Sequence, residues 1–153
     1  MSTSAFDIAA SGMAVHRAEM DVIAENIANA GTTRAGSGAP YRERQAVVEP
    51  AGPDSFASIF ADAASMDDDA DAPEGVQLAG IVESDAPAQY RFDPANPFAI
   101  AQGPHRGSVA EADVDPIEQM VSLVSAGRAY DADVAALQAA KQMDVEAIGV
   151  DGQ

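Results

Sequence analysis

The amino-acid sequence predicts a mainly α protein with a small β-rich middle domain, its N- and C-terminal helices pairing as an antiparallel coiled-coil-like core. Three observations carry that prediction. Apolar residues near the N-terminus recur in an unbroken alternation of three and four. A second such alternation occupies the C-terminal third. Between them lie short segments with strand-like alternation, separated by Gly-, Pro- and Asp-rich stretches.

Phe6, Ala9, Met13, His16, Met20, Ile23, Ile27 and Ala30 form the first seam, spaced 3-4-3-4-3-4-3. That is the heptad pattern of a helix with one apolar stripe. Ser4 is a plausible N-cap, with Asp7 completing a weak capping box, and Gly31 is placed to end the helix as its C′ residue. At about 1.5 Å per residue, roughly 26 residues make a rod about 40 Å long. Asn26 and Asn29 stand three apart in its last turns, beside Ile23 and Ile27. Asparagine is a mediocre helix former because its amide competes for nearby backbone groups. By itself the pair reads as a polar edge with some C-terminal capping.

The middle differs in composition. Residues 31–40, "GTTRAGSGAP", read as a loop. "YRERQAVVE" (41–49), "GVQLAGIVES" (75–84) and "AQYRFDP" (88–94) read as strands, with Asp85 and Pro87 in the turn between the last two. Residues 51–74 hold seven acids and no Lys or Arg, and read as a solvated loop in which Phe56, Ile59 and Phe60 could make one helical turn. Residues 96–113 read as an irregular connector, and Asn96-Pro97-Phe98 as a turn ahead of an apolar anchor. The domain division expected is 1–37 plus 111–153 for the helical core and 38–110 for the β-rich domain.

The last helix starts at Asp115, a candidate N-cap, with Pro116 at N1. Its seam runs Met120, Leu123, Gly127, Tyr130, Val134 and Leu137, widened by Ile117, Val121 and Val124. Lys141 and Asp144 fall on later seam positions, and helix is expected to about residue 147. Two seams with alanines on the flanks expose much apolar surface as a lone pair, which favours assembly into a larger bundle.

Composition narrows the function classes. In 153 residues there are 25 acids against 8 bases, a net charge of −17, which argues against nucleic acid and anionic membrane surfaces. There is no cysteine, so thiolate metal sites and disulfides are excluded. No apolar run is long enough to span a membrane, and the first twenty residues lack the basic and apolar regions of a cleavable secretory signal. Enzyme signatures are thin: His16 and His105 are far apart, His16 sits on the seam, and no activated-nucleophile or phosphate-loop motif occurs. No catalytic, metal or cofactor site is therefore expected. Asp67, Asp69 and Asp71 match positions 1, 3 and 5 of an EF-hand loop. Ala72 and Leu78 then occupy the positions that need Gly and Glu, so a solvated loop is the reading.

"SGMAVHRAEMDVIAENIANAGTT" followed by "PYRERQ" closely resembles the N-terminal signature of bacterial flagellar axial proteins, and Pro40-Tyr41-Arg42 points within them to the proximal rod. "GVQLAGIVESDAPAQYRFDPANPFA" and "VDPIEQMVSLVSAGRAYDADVAALQAAKQM", with Arg128-Ala129-Tyr130, are similar to the middle and C-terminal blocks of that family. Residues 51–74 look like an insertion, and Asp133 stands where the family favours Asn. The resemblance implies a structural, non-catalytic rod subunit, exported without a cleaved signal to the periplasmic part of the basal body. Its implied partners are other rod proteins, the ring and export apparatus, and further copies of itself. The assembly interface implied is Phe6, Met13, Met20, Ile23, Asn26, Ile27, Asn29, Met120, Leu123, Tyr130, Val134 and Leu137, with Pro40, Tyr41, Arg42 and Arg128 as family motif residues. On this reading Asn26 and Asn29 are amides that set how helix ends meet neighbouring subunits. Another axial protein, or a coiled-coil adaptor outside flagella, is the alternative.

Overall fold

Among the described residues, helix α1 runs Ser2–Asn29 and helix α2 runs Pro116–Val150, with four short strands between them: β1 Arg44–Pro50, β2 Val76–Glu83, β3 Gln89–Phe92 and β4 Ser108–Glu111. The structure is a computed structural model that describes residues 2–33, 39–51 and 75–150. The acidic stretch from residue 52 to 74, with Phe56, Ile59, Phe60 and the Asp67, Asp69, Asp71 cluster, lies outside the described residues.

Both helices form where their periodicity predicts, with different ends. Ser4 lies inside the first turn of α1 and is not its N-cap. Gly31 is not in the left-handed region, so the expected C′ glycine closure is absent. The helix ends instead by tightening, Ala30 N–H bonding the Ile27 carbonyl at 3.4 Å and Thr32 N–H the Asn29 carbonyl at 2.9 Å. At α2 the cap forms as expected: the Asp115 carboxylate accepts from Ile117 N–H at 2.8 Å, and its carbonyl from Gln119 N–H at 3.0 Å.

The buried line along each helix is offset from the apolar seam. On α1 it follows Ala9, Gly12, Val15, Val22 and Asn26; on α2 it passes through Gln119, Ala126 and Ala140. The seam residues Met13, His16, Ile23 and Ile27 sit one position later and are half-buried, while Met120 is exposed. One residue is a rotation of about 100°. Size contributes to the offset at Ala9, Gly12, Ala126 and Ala140, whose small side chains allow close backbone approach, while the long Met and Ile side chains lie on the flanks.

β1 and β2 make a two-stranded antiparallel ribbon. Ser84 N–H bonds the Glu43 carbonyl (2.7 Å) at one end, and Ala51 N–H bonds the Gly75 carbonyl (2.9 Å) at the other. β3 and β4 pair antiparallel, with Gln89 opposite Glu111 and Phe92 opposite Ser108. β4 lies in the stretch read as an irregular connector. Four residues containing Ala and Glu carry little strand signal of their own, and pairing with β3 makes them a strand. The loop joining this pair folds back on itself, and Ile100 N–H bonds the Ser108 carbonyl at 2.9 Å. There the Tyr90 and His105 rings stack 3.8 Å apart.

The chain divides into two compact units, each drawing on both helices. One comprises Met1–Ala18, Val47–Gly80 and Ala126–Gln153; the other Glu19–Ala46 and Ile81–Ser125. In the first, the helices meet at Gly12, where a Cβ would stand 2.6 Å from Asp133 Oδ2, and His16 Nε2 lies 3.7 Å from the same oxygen. His16 is thus a packing residue of the helix pair. Gly75 (φ +137°) rests on Ser11 so closely that any side chain would collide with its hydroxyl, and Val76 N–H donates to Ser11 Oγ at 3.1 Å. In the second unit, Tyr41, Ala112 and Val114 form a buried cluster with Ala30 packed against it.

Candidate functional site

The second unit is organised around one side chain. Asn26, on the buried line of α1, is 1% exposed and uses its whole hydrogen-bonding capacity. Its Oδ1 accepts from Tyr41 O–H at 2.8 Å and from Arg44 N–H at 3.0 Å. Its Nδ2 donates to the Arg44 carbonyl at 2.8 Å and to Gln119 Oε1 at 3.0 Å. The amide therefore reads both main-chain groups of the first β1 residue, as a neighbouring strand would, and also holds α2. Only a side chain with a donor and an acceptor on one planar head does this, and aspartate or leucine cannot.

The network continues outward. Gln119 Nε2 donates to Glu43 Oε1 at 2.9 Å. Arg44 pairs with Glu25 on α1 at 2.7 Å and with Glu83 on β2 at 3.3 Å, while its guanidinium carbon lies 5.7 Å from the centre of the Tyr41 ring. Burial, reinforced by the Glu25 charge, raises the Tyr41 pKa above its ordinary 10.0. The Glu25 carboxylate in turn holds the Arg44 guanidinium still more firmly charged. Arg42, exposed, pairs with Asp85 at 3.3 Å. This arrangement contains no proton relay or nucleophile; it is a junction that ties the Pro40-Tyr41-Arg42 segment to both helices.

Of the residues singled out from the sequence, the structure brings Asn26 and Tyr41 into direct contact, with Pro40 and Arg42 alongside in the chain. Asn29 behaves differently: it bonds locally, Nδ2 to the Glu25 carbonyl at 2.9 Å and Oδ1 from Thr32 Oγ1 at 3.2 Å, at the helix end. Phe6, Met13, Met20, Ile23 and Ile27 are half-buried on α1, as are Leu123, Tyr130, Val134 and Leu137 on α2; Met120 and Arg128 are exposed. Sequence reasoning missed Gln119, Glu43 and Arg44. The available signal was Gln119 itself, a buried-line position one residue ahead of Met120, but nothing local names its partner 93 residues away.

The terminal helices are also where known families match. Residues 6–35 match the family described as "Flagella basal body rod protein", and residues 105–149 the one described as "Flagellar basal body rod FlgEFG protein C-terminal". Asn26 falls in the first block and Gln119 in the second. The chain is 36% identical over 148 residues to the flagellar basal-body rod protein FlgC of Bacillus subtilis (strain 168), covering 94% of each. It is 35% identical over 138 residues to FlgC of Salmonella typhimurium, covering 90% of this chain and 89% of that one. With FlgC of Borreliella burgdorferi it shares 31% over 154 residues, 96% of this chain and 95% of the other. Identity of this degree over nearly the whole of each chain, anchored at both helical ends, means that this protein belongs to the FlgC family of flagellar basal-body rod proteins.

Proposed function

We infer that the chain is a non-catalytic structural subunit of the bacterial flagellar rod, assembling with other rod proteins into the proximal part of the drive shaft that transmits torque. The observation that carries this is the 35–36% identity, over 90–94% of this chain, to rod proteins named FlgC. Physical features support it. Ile117, Val121, Val124, Met143, Val145 and Ile148 are exposed along α2, far more apolar surface than one helix leaves to water without a partner. In the rod, α1 and α2 act as a coiled-coil-like pair, with neighbouring subunits covering the half-buried flank of Phe6, Met13, Met20, Ile23 and Ile27 and, on α2, the exposed Met120 with the half-buried Leu123, Tyr130, Val134 and Leu137. Asn26 acts on assembly through the junction it builds inside the chain, and Asn29 through the helix end it closes.

The subunit reaches the basal body by the flagellar export route and stands in the periplasmic rod beside the ring and export apparatus. Deleting its gene in the source bacterium, with complementation, tests the reading by electron microscopy of basal bodies. Absent or truncated rods, restored by the wild-type gene, are expected; rods of normal length in the deletion strain would overturn it.

A further inference from the structure

In the first unit α1 and α2 meet over a carboxylate that is incompletely served. Asp133 on α2 packs against the backbone of Gly12 on α1, where a Cβ would stand 2.6 Å from Asp133 Oδ2. That oxygen is shielded from solvent and has no hydrogen-bond partner. His16 stands one turn on from Gly12, and its Nε2 lies 3.7 Å from the same oxygen. This separation suits an ion pair and is too long for a hydrogen bond. Each of the two side chains keeps 28% of its surface exposed, so protons can reach the pair while Oδ2 itself stays dry. Other ionisable groups nearby are few. Glu19, half-buried, follows His16 by one turn on α1, and Tyr130, half-buried, precedes Asp133 by one turn on α2. Their chain neighbours Arg17 and Asp131 are exposed, as is Glu49 on β1. The part of β2 in this unit, residues 76–80, has no ionisable side chain.

We propose that His16 and Asp133 form a proton-operated clasp, which draws α1 and α2 together when the pair holds a proton and slackens when the proton leaves. With the proton in place, an imidazolium faces a carboxylate, and a closing movement of about 1 Å lets Nε2–H donate to Oδ2. Without it, a shielded anionic oxygen sits beside an uncharged ring, and an unserved polar atom is costly. Of the side-chain types gathered here, imidazole alone ordinarily changes charge between about pH 5 and 8. The folded chain then holds a proton that the unfolded chain binds less firmly. Stability from the clasp is therefore present in acid and lost as the pH rises. The device works inside one subunit and needs no partner, so it stands or falls independently of the rod-subunit reading.

Acid also lowers the repulsion within a chain of net charge −17, and His16 interacts elsewhere as well, so the share of the pair has to be isolated. A double-variant cycle does this, with the full-length wild type, His16→Gln, Asp133→Asn and the double variant unfolded in urea at about pH 5.5 and about pH 8. The coupling between the two positions is expected to raise the folding equilibrium constant about threefold more at the lower pH. Equal coupling at both pH values means that the neutral ring does all the bonding, and it would overturn the clasp, as would stronger coupling at the higher pH. Circular dichroism checks that each variant keeps wild-type helicity, and His16→Asn or Asp133→Ser replaces any that does not. Proton NMR reads the same pair directly. The His16 ring signal, assigned by its loss in His16→Gln, is expected to titrate at lower pH in Asp133→Asn than in the wild type. An unmoved midpoint would also overturn the proposal.

Discussion

Asn26 shows how much a single side chain decides here. Four hydrogen bonds converge on it inside the chain, so Asn26→Ala strands Tyr41 O–H, Gln119 and both main-chain groups of Arg44. Unsatisfied buried groups cost about 1–3 kcal/mol each without adding fully, and a loss of about 3 kcal/mol is expected in urea denaturation. Asn26→Leu should recover little, because it refills the volume and leaves the same partners unpaired. Tyr41→Phe removes one bond while Arg44 N–H still serves the amide oxygen, so about 1 kcal/mol is expected. The same phenol sets a pH dependence. Its folded-state pKa is raised, so its contribution is complete below its ordinary value of 10.0 and declines as the pH climbs through the folded-state value. Stability measured from about pH 9 to 11 should fall less steeply in Tyr41→Phe than in the wild type. The sequence marked Asn26 as anomalous through its poor helix propensity. It held no sign of Arg44 and Gln119 as partners, since 18 and 93 residues of chain separate them from it.

Among the elements, those with long periodic signals were the legible ones. Both helices and the first three strands stand where periodicity and turn residues predict, and Asp115 caps α2 as its position before Pro116 implies. Asp115→Ala should cost about 1 kcal/mol, read as a lower thermal midpoint. β4 escaped because a four-residue strand is defined by its partner, β3, and not by its own residues. Gly75 was equally silent: its positive φ and its contact with Ser11 exist only once β2 lies against α1. Gly75→Ala adds backbone strain and a collision, and about 2 kcal/mol of destabilisation is expected by chemical denaturation, against a change near zero at Gly31, whose Cβ would meet open space.

At the scale of the whole molecule, charge and exposed apolar area oppose each other. A chain with a net charge of −17 repels its own copies, while the apolar residues along α2 favour association. Screening shortens the reach of the repulsion from about 10 Å at 0.1 M salt to about 3 Å at 1 M and leaves apolar burial intact. Sedimentation velocity should therefore show tighter self-association at the higher salt, and the reverse trend would argue that ion pairs hold the copies together. By itself the sequence determined the helix pair, most of the strands and the rod family, because heptad spacing, turn residues and motif order are local properties of the chain. The tertiary structure decided which face of each helix is buried. Periodicity reports where apolar residues lie, but the buried line also depends on small residues that allow close approach, Gly12, Ala126 and Ala140, and on the Asn26–Gln119 hydrogen bond, while the larger Met and Ile residues lie on the flank. It also decided that Asn26 faces inward, because an amide with four partners is stable buried and one without them is not.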